Sequence, residues 1–315
     1  MNKAPDFMSK LAEDFRKYVA FMVGSGRVFR VETSILKAFD RFIVRNGILA
    51  ITETVVNSYV YSVPSLTAQQ YAKGHRVVQK FAEYMHLRER GENVRPLPPV
   101  KNTKRHVAYV YSKEDISRLL CAAGQLPPLT SLRPHTYFVL FGLLYSSGLR
   151  ISEAISLERS DINFAASTIL IRNTKFRKSR IVPIHASTLA QLLKYAKLRD
   201  ALYPTCDDNA FFVNNKKKRL VYSTVNNIFL QLSQQLGLRS PDGQMPRIHD
   251  LRHTFAIRRV AAWYDEGADI HAKLPLLATY MGHAHFEDTT YYLMAGAELM
   301  ARGASRFQRE GVLNG

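Results

Sequence analysis

The amino-acid sequence predicts a mainly α-helical protein with two domains and one small antiparallel β-sheet. Apolar residues recur at helical spacing along most of the chain, and two short β-rich segments flank a polar turn. A basic, proline-rich segment breaks the helical pattern before residue 110. Because 315 residues exceed what one hydrophobic core usually serves, two separate cores are expected.

Helical spacing of apolar side chains predicts four short amphipathic helices in the first part of the chain. They are expected at about residues 11–22, 33–45, 52–61 and 67–86. Gly24 and Gly47 supply stops after the first two helices. Together the four helices form a predicted helical domain over residues 1–92.

A linker is expected at residues 93–109. Pro96, Pro98 and Pro99 remove backbone donors and helical dihedral angles there, and basic residues follow them. The second domain is then expected over residues 110–315, and Ser112 is suited to cap its first helix because acidic residues follow it.

The second domain is predicted to be helical apart from one β-hairpin. An apolar helix over about residues 137–145 ends at Gly148. The β-rich segments 168–172 and 181–184 are separated by polar and basic residues, which is typical of a hairpin turn.

The chain carries 44 Lys and Arg residues against 26 Asp and Glu, which gives a net charge of +18. Such an excess favours a polyanionic partner such as nucleic acid, although it does not identify an enzyme. Two cysteines form neither a disulfide framework nor a metal-ligand spacing. With no signal peptide and no apolar stretch that could span a bilayer, we expect a soluble cytoplasmic protein without a membrane partner.

Two clusters of the second domain suit phosphate binding, and each has a plain structural alternative. Arg150 follows the helix-ending Gly148 and could bind a phosphate with Glu153 orienting it, or it could be a surface arginine beside a helix cap. Lys175 in the hairpin turn could enter a DNA groove, or it could be solvated.

Two further clusters carry histidines. His249 and Arg252 are three residues apart, so they face one side of a helix and can converge on one anion. His283 precedes Tyr292 by nine residues. In an unbroken helix that interval is about two and a half turns, so these two side chains meet only if the chain breaks between them. Residues 287–290 offer such a break.

The chain resembles the tyrosine recombinases, the phage integrase family. The strings GLRISE, HDLRHTFA and MGH, with a tyrosine nine residues after the last, are similar to the motifs of that family in order and spacing. The resemblance implies that the catalytic residues are Arg150, Lys175, His249, Arg252, His283 and Tyr292. Glu153 would orient Arg150 without itself contacting the phosphate.

The resemblance also implies a function. Residues 1–92 would be a core-binding domain, and residues 110–315 a catalytic domain of a site-specific recombinase or integrase. Tyr292 would form a 3′-phosphotyrosyl link without a metal or a cofactor. Lys175 would protonate the leaving oxygen, and His249 would assist the proton of the nucleophile.

The implied partners are double-stranded DNA and further protomers, assembled as a tetramer on DNA, with other recombinases as additional candidates. Because the core-binding region begins almost at Met1, a simple recombinase or a transposon- or plasmid-borne integrase is expected.

Three surface or register questions accompany this interpretation. The basic run Lys216, Lys217, Lys218 and Arg219 is expected to contact the DNA backbone, with a solvated loop as the alternative. The tail after Leu299 is expected to connect protomers, with a frayed end as the alternative. The spacing from His283 selects Tyr292 over the adjacent Tyr291 as the nucleophile.

Three other functions stay open on the sequence. A type IB topoisomerase uses a similar residue set to relax one duplex. A zinc enzyme could use His249 and His253, which are four residues apart, although Asp250 stands where the usual motif has Glu. A DNA-binding relative without catalysis is the third.

Overall fold

The computed structural model describes residues 6–27, 29–62, 68–96, 108–172, 179–204, 208–240 and 243–282, together with Thr289 and Tyr292. The chain divides into two compact units, Met1–Arg105 and His106–Gly315, and each is described by itself. The predicted fold class, mainly helical with a small antiparallel sheet, is confirmed. Within the described ranges, no helix is long and apolar enough to cross a membrane.

The first unit contains four helices in its described part. They are α1 (Ala12–Gly24), α2 (Arg30–Arg45), α3 (Glu53–Tyr61) and α4 (Ala68–His86). Thr52 caps α3 by accepting a hydrogen bond from the Val55 N–H. The predicted start of α2 at Thr33 is wrong by one turn, because the buried Phe29 occupies the position before the helix instead of a polar capping residue.

Aromatic rings form the centre of the first unit. Phe15 stacks on Phe81 with ring centroids 4.1 Å apart and on Phe7 with centroids 4.9 Å apart. Phe39 meets Phe15 edge-on at 6.2 Å. Because these rings come from α1, α2, α4 and the segment before α1, their packing holds the helices of this unit together.

The second unit is built mainly from helices, several of which pack around one largely buried helix. In the described part they are α5 (Lys113–Ala123), α6 (Arg133–Ser147), α7 (Ile151–Ser156), α8 (Ala186–Leu202), α9 (Tyr222–Gln235), α10 (Asp250–Asp265) and α11 (Ile270–Met281). Ser112 caps α5 as predicted, and Asp115 completes a reciprocal pair of hydrogen bonds with it. α6 packs against α5, α8 and α10.

A three-stranded antiparallel sheet lies between α7 and α8 in the chain. Its strands are β1 (Ile162–Asn163), β2 (Thr168–Ile171) and β3 (Arg180–Pro183), in that order. Ile169 of β2 faces Val182 of β3. The sequence predicts the hairpin of β2 and β3 but not β1, because two residues are too few to show an alternating pattern.

Gly148 turns the chain from α6 into α7. Its φ of +63° is left-handed, and a Cβ at this position would lie 2.4 Å from Phe255 Cδ1. Only glycine satisfies both conditions without strain. The turn places Arg150 directly before α7, and the close contact with Phe255 ties this end of α6 to α10.

Candidate active site

Arg150 lies at the start of α7, where Glu153 holds it. Arg150 Nη1 donates to Glu153 Oε1 at 2.9 Å, and the backbone N–H of Arg150 donates to Oε2 at 2.9 Å. The two hydrogen bonds close the first turn of α7. Since the Arg150 side chain is still 29% exposed, its guanidinium remains within reach of solvent.

Arg180, the first residue of β3, is a second arginine on the same carboxylate. Its Nη1 and Nη2 donate to Oε1 and Oε2 of Glu153 at 3.0 and 2.9 Å. Burial by itself would raise the pKa of Glu153. The hydrogen bonds and charge of Arg180, and then those of Arg150, nevertheless hold the pKa below its ordinary value. Glu153 is therefore an ionised group shared by two guanidinium groups.

Arg252 is buried in the first turn of α10, with 2% of its surface exposed. Its Nη1 donates to Gly148 O at 2.5 Å, and its Nη2 donates to Met281 O at 2.7 Å. Burial, followed by the charge of Arg150, lowers the pKa of Arg252 to about 10, so it remains a cation near neutral pH. Its guanidinium connects the end of α6 to the end of α11.

Three consecutive carbonyls at the end of α11 are bound by three different arginines. The pairs are Arg180 Nε to Tyr280 O at 2.8 Å, Arg252 Nη2 to Met281 O at 2.7 Å and Arg150 Nη2 to Gly282 O at 2.7 Å. Carbonyls at a helix C-terminus lack intrahelical partners and carry partial negative charge, so guanidinium groups are well suited to them. This arrangement fixes the end of α11, which His283 follows in the chain.

His249 precedes α10 and remains exposed to solvent. Desolvation of the ring by the surrounding protein, and then the charges of Arg252, Arg150 and Arg247, lower the pKa of His249 to about 4. Because the residue as a whole is exposed, water screens part of this effect. A neutral imidazole near pH 7 offers one N–H donor and one acceptor, which suits a phosphate oxygen beside arginines.

Tyr292 is helical and 2% exposed. Its hydroxyl lies 3.0 Å from Nδ1 of His253, and the two ring centroids are 5.6 Å apart. The His253 ring in turn meets the His249 ring edge-on, with centroids 4.8 Å apart. The hydroxyl of the predicted nucleophile is therefore next to the first turn of α10, which carries Arg252.

Two of the predicted catalytic residues, Lys175 and His283, lie outside the described residues, as does Tyr291. The structure thus brings together Arg150, His249, Arg252 and Tyr292, and Glu153 is hydrogen-bonded to Arg150. The roles assigned to all of these residues remain predictions.

The four residues of the basic run differ in their surroundings. Lys216 and Lys218 are exposed, and Lys217 is half-buried. Arg219 instead points inward, where its Nη1 donates to Ile155 O at 3.2 Å. Arg219 therefore braces the end of α7, and it is less available to DNA than the exposed lysines.

Arg180 and His253 were not assigned to the site from the sequence. The sequence nevertheless contains a pattern that indicates a site position for each of these two residues. Arg180 and Val182 alternate along β3 and share its inner face, so a charge there indicates a buried counter-charge. His253 follows His249 by four residues, which places both rings on one face of α10.

The profile of the phage integrase family matches residues 110–298. The chain belongs to the phage integrase family. It is 36% identical over 310 residues to y4rE of Sinorhizobium fredii, a protein provisionally named integrase/recombinase, and the match covers 95% of this chain and 96% of the relative. It is 29% identical over 234 residues to the tyrosine recombinase XerA of Thermococcus onnurineus, which covers 73% of each chain. The chain itself is therefore a tyrosine site-specific recombinase, as its sequence predicts.

Solved structures of tyrosine recombinases share the fold. The XerH site-specific recombinase bound to difH substrate matches with a TM-score of 0.61 at 19% identity, over 84% of this chain and 76% of that chain. The Tn1549 transposon integrase in complex with transposon right end DNA matches with a TM-score of 0.61 at 15% identity, over 92% and 99%. At these identities the likeness concerns the fold alone.

Proposed function

We propose that this recombinase cleaves and rejoins double-stranded DNA at specific sites through a 3′-phosphotyrosyl intermediate on Tyr292. The observation that carries the proposal is the clustering of two cationic guanidinium groups and a neutral imidazole around the α10 N-terminus, with the Tyr292 hydroxyl next to them. The groups are those of Arg150, Arg252 and His249.

These residues suit the charge that develops during cleavage. When an oxygen nucleophile attacks a phosphodiester, negative charge builds on the non-bridging oxygens, and donors fixed beforehand stabilise it. A guanidinium stays charged and can hold two phosphate oxygens at once. Arg150 is already oriented by Glu153 and Arg252 by two backbone carbonyls, so little reorganisation is needed.

The cleavage step exchanges one ester bond for another. The Tyr292 hydroxyl passes its proton to a base in the site as its oxygen forms a bond to phosphorus. The bond to the 5′ oxygen breaks, and Lys175 supplies the proton that this leaving oxygen needs. The phosphotyrosyl link conserves the ester, so a 5′-hydroxyl from another duplex can attack it and reseal the strand without ATP.

The proposed partners are DNA and further protomers. The net charge of +18 suits a polyanion. Exchange between two duplexes requires that both strands of each be cut, and each active site has one nucleophile, so a tetramer on DNA is proposed. The segment after Leu299 is the proposed connector between protomers.

A mobile element is the proposed biological setting. Two Sinorhizobium fredii proteins provisionally named integrase/recombinase, y4rE and y4rB, match at 36% and 37% identity over nearly their whole lengths. The similarity to these two proteins supports a role in the integration or excision of a transposon or plasmid segment.

The proposal is tested with labelled duplexes that tile the DNA on both sides of the gene. We expect some duplexes to trap the protein covalently, and paired copies of those duplexes to exchange strands in the presence of a chelator. Relaxation of supercoiled plasmid without exchange would indicate a type IB topoisomerase instead. Binding without an adduct would indicate a DNA-binding relative, and loss of activity with the chelator a metalloenzyme.

A further inference from the structure

The Tyr292 hydroxyl lies against a second histidine, His253, in addition to the arginines and His249 of the site. His253 lies in the first turn of α10, and its Nδ1 is 3.0 Å from the hydroxyl oxygen. This separation is within hydrogen-bond reach for a proton transfer. Tyr292 is 2% exposed, so solvent is not a ready proton acceptor for its phenol.

A neutral imidazole can accept this hydrogen bond in one tautomer. If the ring proton is on Nε2, the lone pair of Nδ1 can accept from the Tyr292 O–H, and the 3.0 Å contact is a phenol donating to a base. The same ring also meets the His249 ring edge-on, with centroids 4.8 Å apart. The contact therefore has the geometry of a nucleophile paired with its base.

His249 is the less suitable of the two histidines for this task. It lies next to three arginines, whose charges, together with desolvation of its ring, oppose a further positive charge. A base must become an imidazolium when it takes the phenolic proton. These surroundings suit His249 as a neutral phosphate contact instead.

We propose that His253 is the catalytic base that accepts the phenolic proton of Tyr292, while His249 binds the phosphate. The inference rests on the proposed function. As the Tyr292 oxygen bonds to phosphorus, its proton passes to His253 Nδ1, the bond from phosphorus to the 5′ oxygen breaks, and Lys175 protonates that oxygen. In resealing, a 5′-hydroxyl gives its proton back to Lys175 as its oxygen bonds to phosphorus. The bond from phosphorus to the Tyr292 oxygen breaks, and the imidazolium of His253 returns the proton to Tyr292.

The test compares full-length wild type with His253→Ala, His253→Asn and His249→Ala on a duplex that traps the wild-type protein. The control variant is His135→Ala, which removes an exposed imidazole from α6. Each variant is measured for DNA binding and for the single-turnover rate of adduct formation. Imidazole is then added, and pyrazole serves as a ring of the same size that is a far weaker base.

General-base catalysis contributes about 10²–10⁴-fold, so His253→Ala should bind DNA normally and form the adduct on the order of a hundredfold more slowly. Imidazole should fill the space left by the ring and restore roughly a tenth or more of the wild-type rate, whereas pyrazole should not. His249→Ala loses a phosphate contact and not a base, so imidazole and pyrazole, which both carry an N–H donor, should act on it alike. His253→Asn can still hydrogen-bond to Tyr292, so it should fold normally but remain slow.

Four results would overturn the inference while leaving the proposed function intact. The first is a wild-type rate of adduct formation in His253→Ala. The second is a rate in His253→Ala above that of wild type, which would make the contact a restraint on the nucleophile. The third is full activity in His253→Asn, which would make His253 a positioning residue. Equal rescue by imidazole and pyrazole would also reject proton transfer. If wild type itself forms no adduct on any duplex, the proposed function fails first.

Discussion

At the scale of single residues, Glu153 is the point where two arginines of the site meet. Its carboxylate accepts two hydrogen bonds from Arg180 and one from the guanidinium of Arg150. The Arg180 side chain is 13% exposed and the Glu153 side chain 8%, so hydration stabilises either charge only weakly. Glu153 therefore stabilises the positive charge of Arg180, and it also fixes the orientation of the Arg150 guanidinium.

Glu153→Gln tests this dependence. The amide carries no charge, so it leaves Arg180, whose side chain is only 13% exposed, without its counter-ion. Because removing one partner of a buried pair costs about 3–5 kcal/mol, we expect urea denaturation to give a loss of about 2–4 kcal/mol. Glu13→Gln, which removes the partner of the exposed Arg16 and Lys17, should cost less than about 1 kcal/mol. Equal losses in the two variants would contradict the proposed dependence.

Lys175 has a chemical role that can be isolated. If it protonates the leaving oxygen, Lys175→Ala should cleave ordinary DNA slowly but recover on a duplex whose scissile 5′ bridging oxygen is replaced by sulfur. A thiolate leaves without protonation, so the loss of the acid no longer matters. Single-turnover cleavage of the two duplexes measures the difference, and matching defects on both would reduce Lys175 to a phosphate contact.

At the scale of the elements, glycines at the ends of α6 and α11 shape the site. Gly148 and Gly282 are both left-handed, with φ of +63° and +66°. A Cβ at Gly282 would lie 2.8 Å from Arg180 Nη1. The backbone thus turns sharply where the arginines bind it, and each glycine leaves room for a neighbouring side chain.

Gly148→Ala should reveal the close approach of α10. Gly237 is the matched control, because its φ is +66° and a Cβ there would meet nothing within 4 Å. Both substitutions force alanine into a left-handed conformation, which costs about 1 kcal/mol, but only Gly148→Ala also displaces Phe255, for a total of about 2–4 kcal/mol. Thermal or urea denaturation gives the two losses. If they are equal, the contact with Phe255 is unimportant.

The elements were predictable where local signals agree. The stop at Gly148, the cap at Ser112 and the hairpin of β2 and β3 each follow from residue types at fixed offsets. The start of α2 was not predictable in this way, because a buried aromatic replaces the polar cap.

The candidate site was predictable from its motifs but not from its contacts. Arg150, His249 and Arg252 stand in recognisable strings, whereas the bonds of Arg180 to Glu153 and Tyr280 join parts of the chain far apart in sequence. The position of the Tyr292 hydroxyl against His253 likewise depends on tertiary packing.

At the scale of the whole molecule, the net charge of +18 dominates the expected binding. Neutralising phosphates releases counterions, so each contact steepens the dependence of affinity on salt. The exposed Lys216 and Lys218 are candidates for such contacts, whereas Arg219 is bonded to the backbone of the protein.

DNA affinity should therefore fall steeply with salt. With about six phosphate contacts, the loss is roughly a thousandfold between about 50 and 200 mM salt. Replacing Lys216, Lys217 and Lys218 by alanine should weaken binding to every duplex alike and reduce the slope, because backbone contacts carry no sequence information. Titrations of labelled duplexes at several salt concentrations measure both effects. A flat response would contradict a binding mode based on phosphate contacts.

The central claim is that Tyr292 is the nucleophile, and two conservative variants test it directly. Tyr292→Phe removes the attacking oxygen and its hydrogen bond to His253 but keeps the buried ring, so folding and DNA binding should persist. The measurement is the covalent protein–DNA adduct, resolved by denaturing gel electrophoresis. We predict that Tyr292→Phe forms none and that Tyr291→Phe forms it as wild type does. An adduct from Tyr292→Phe would contradict the account.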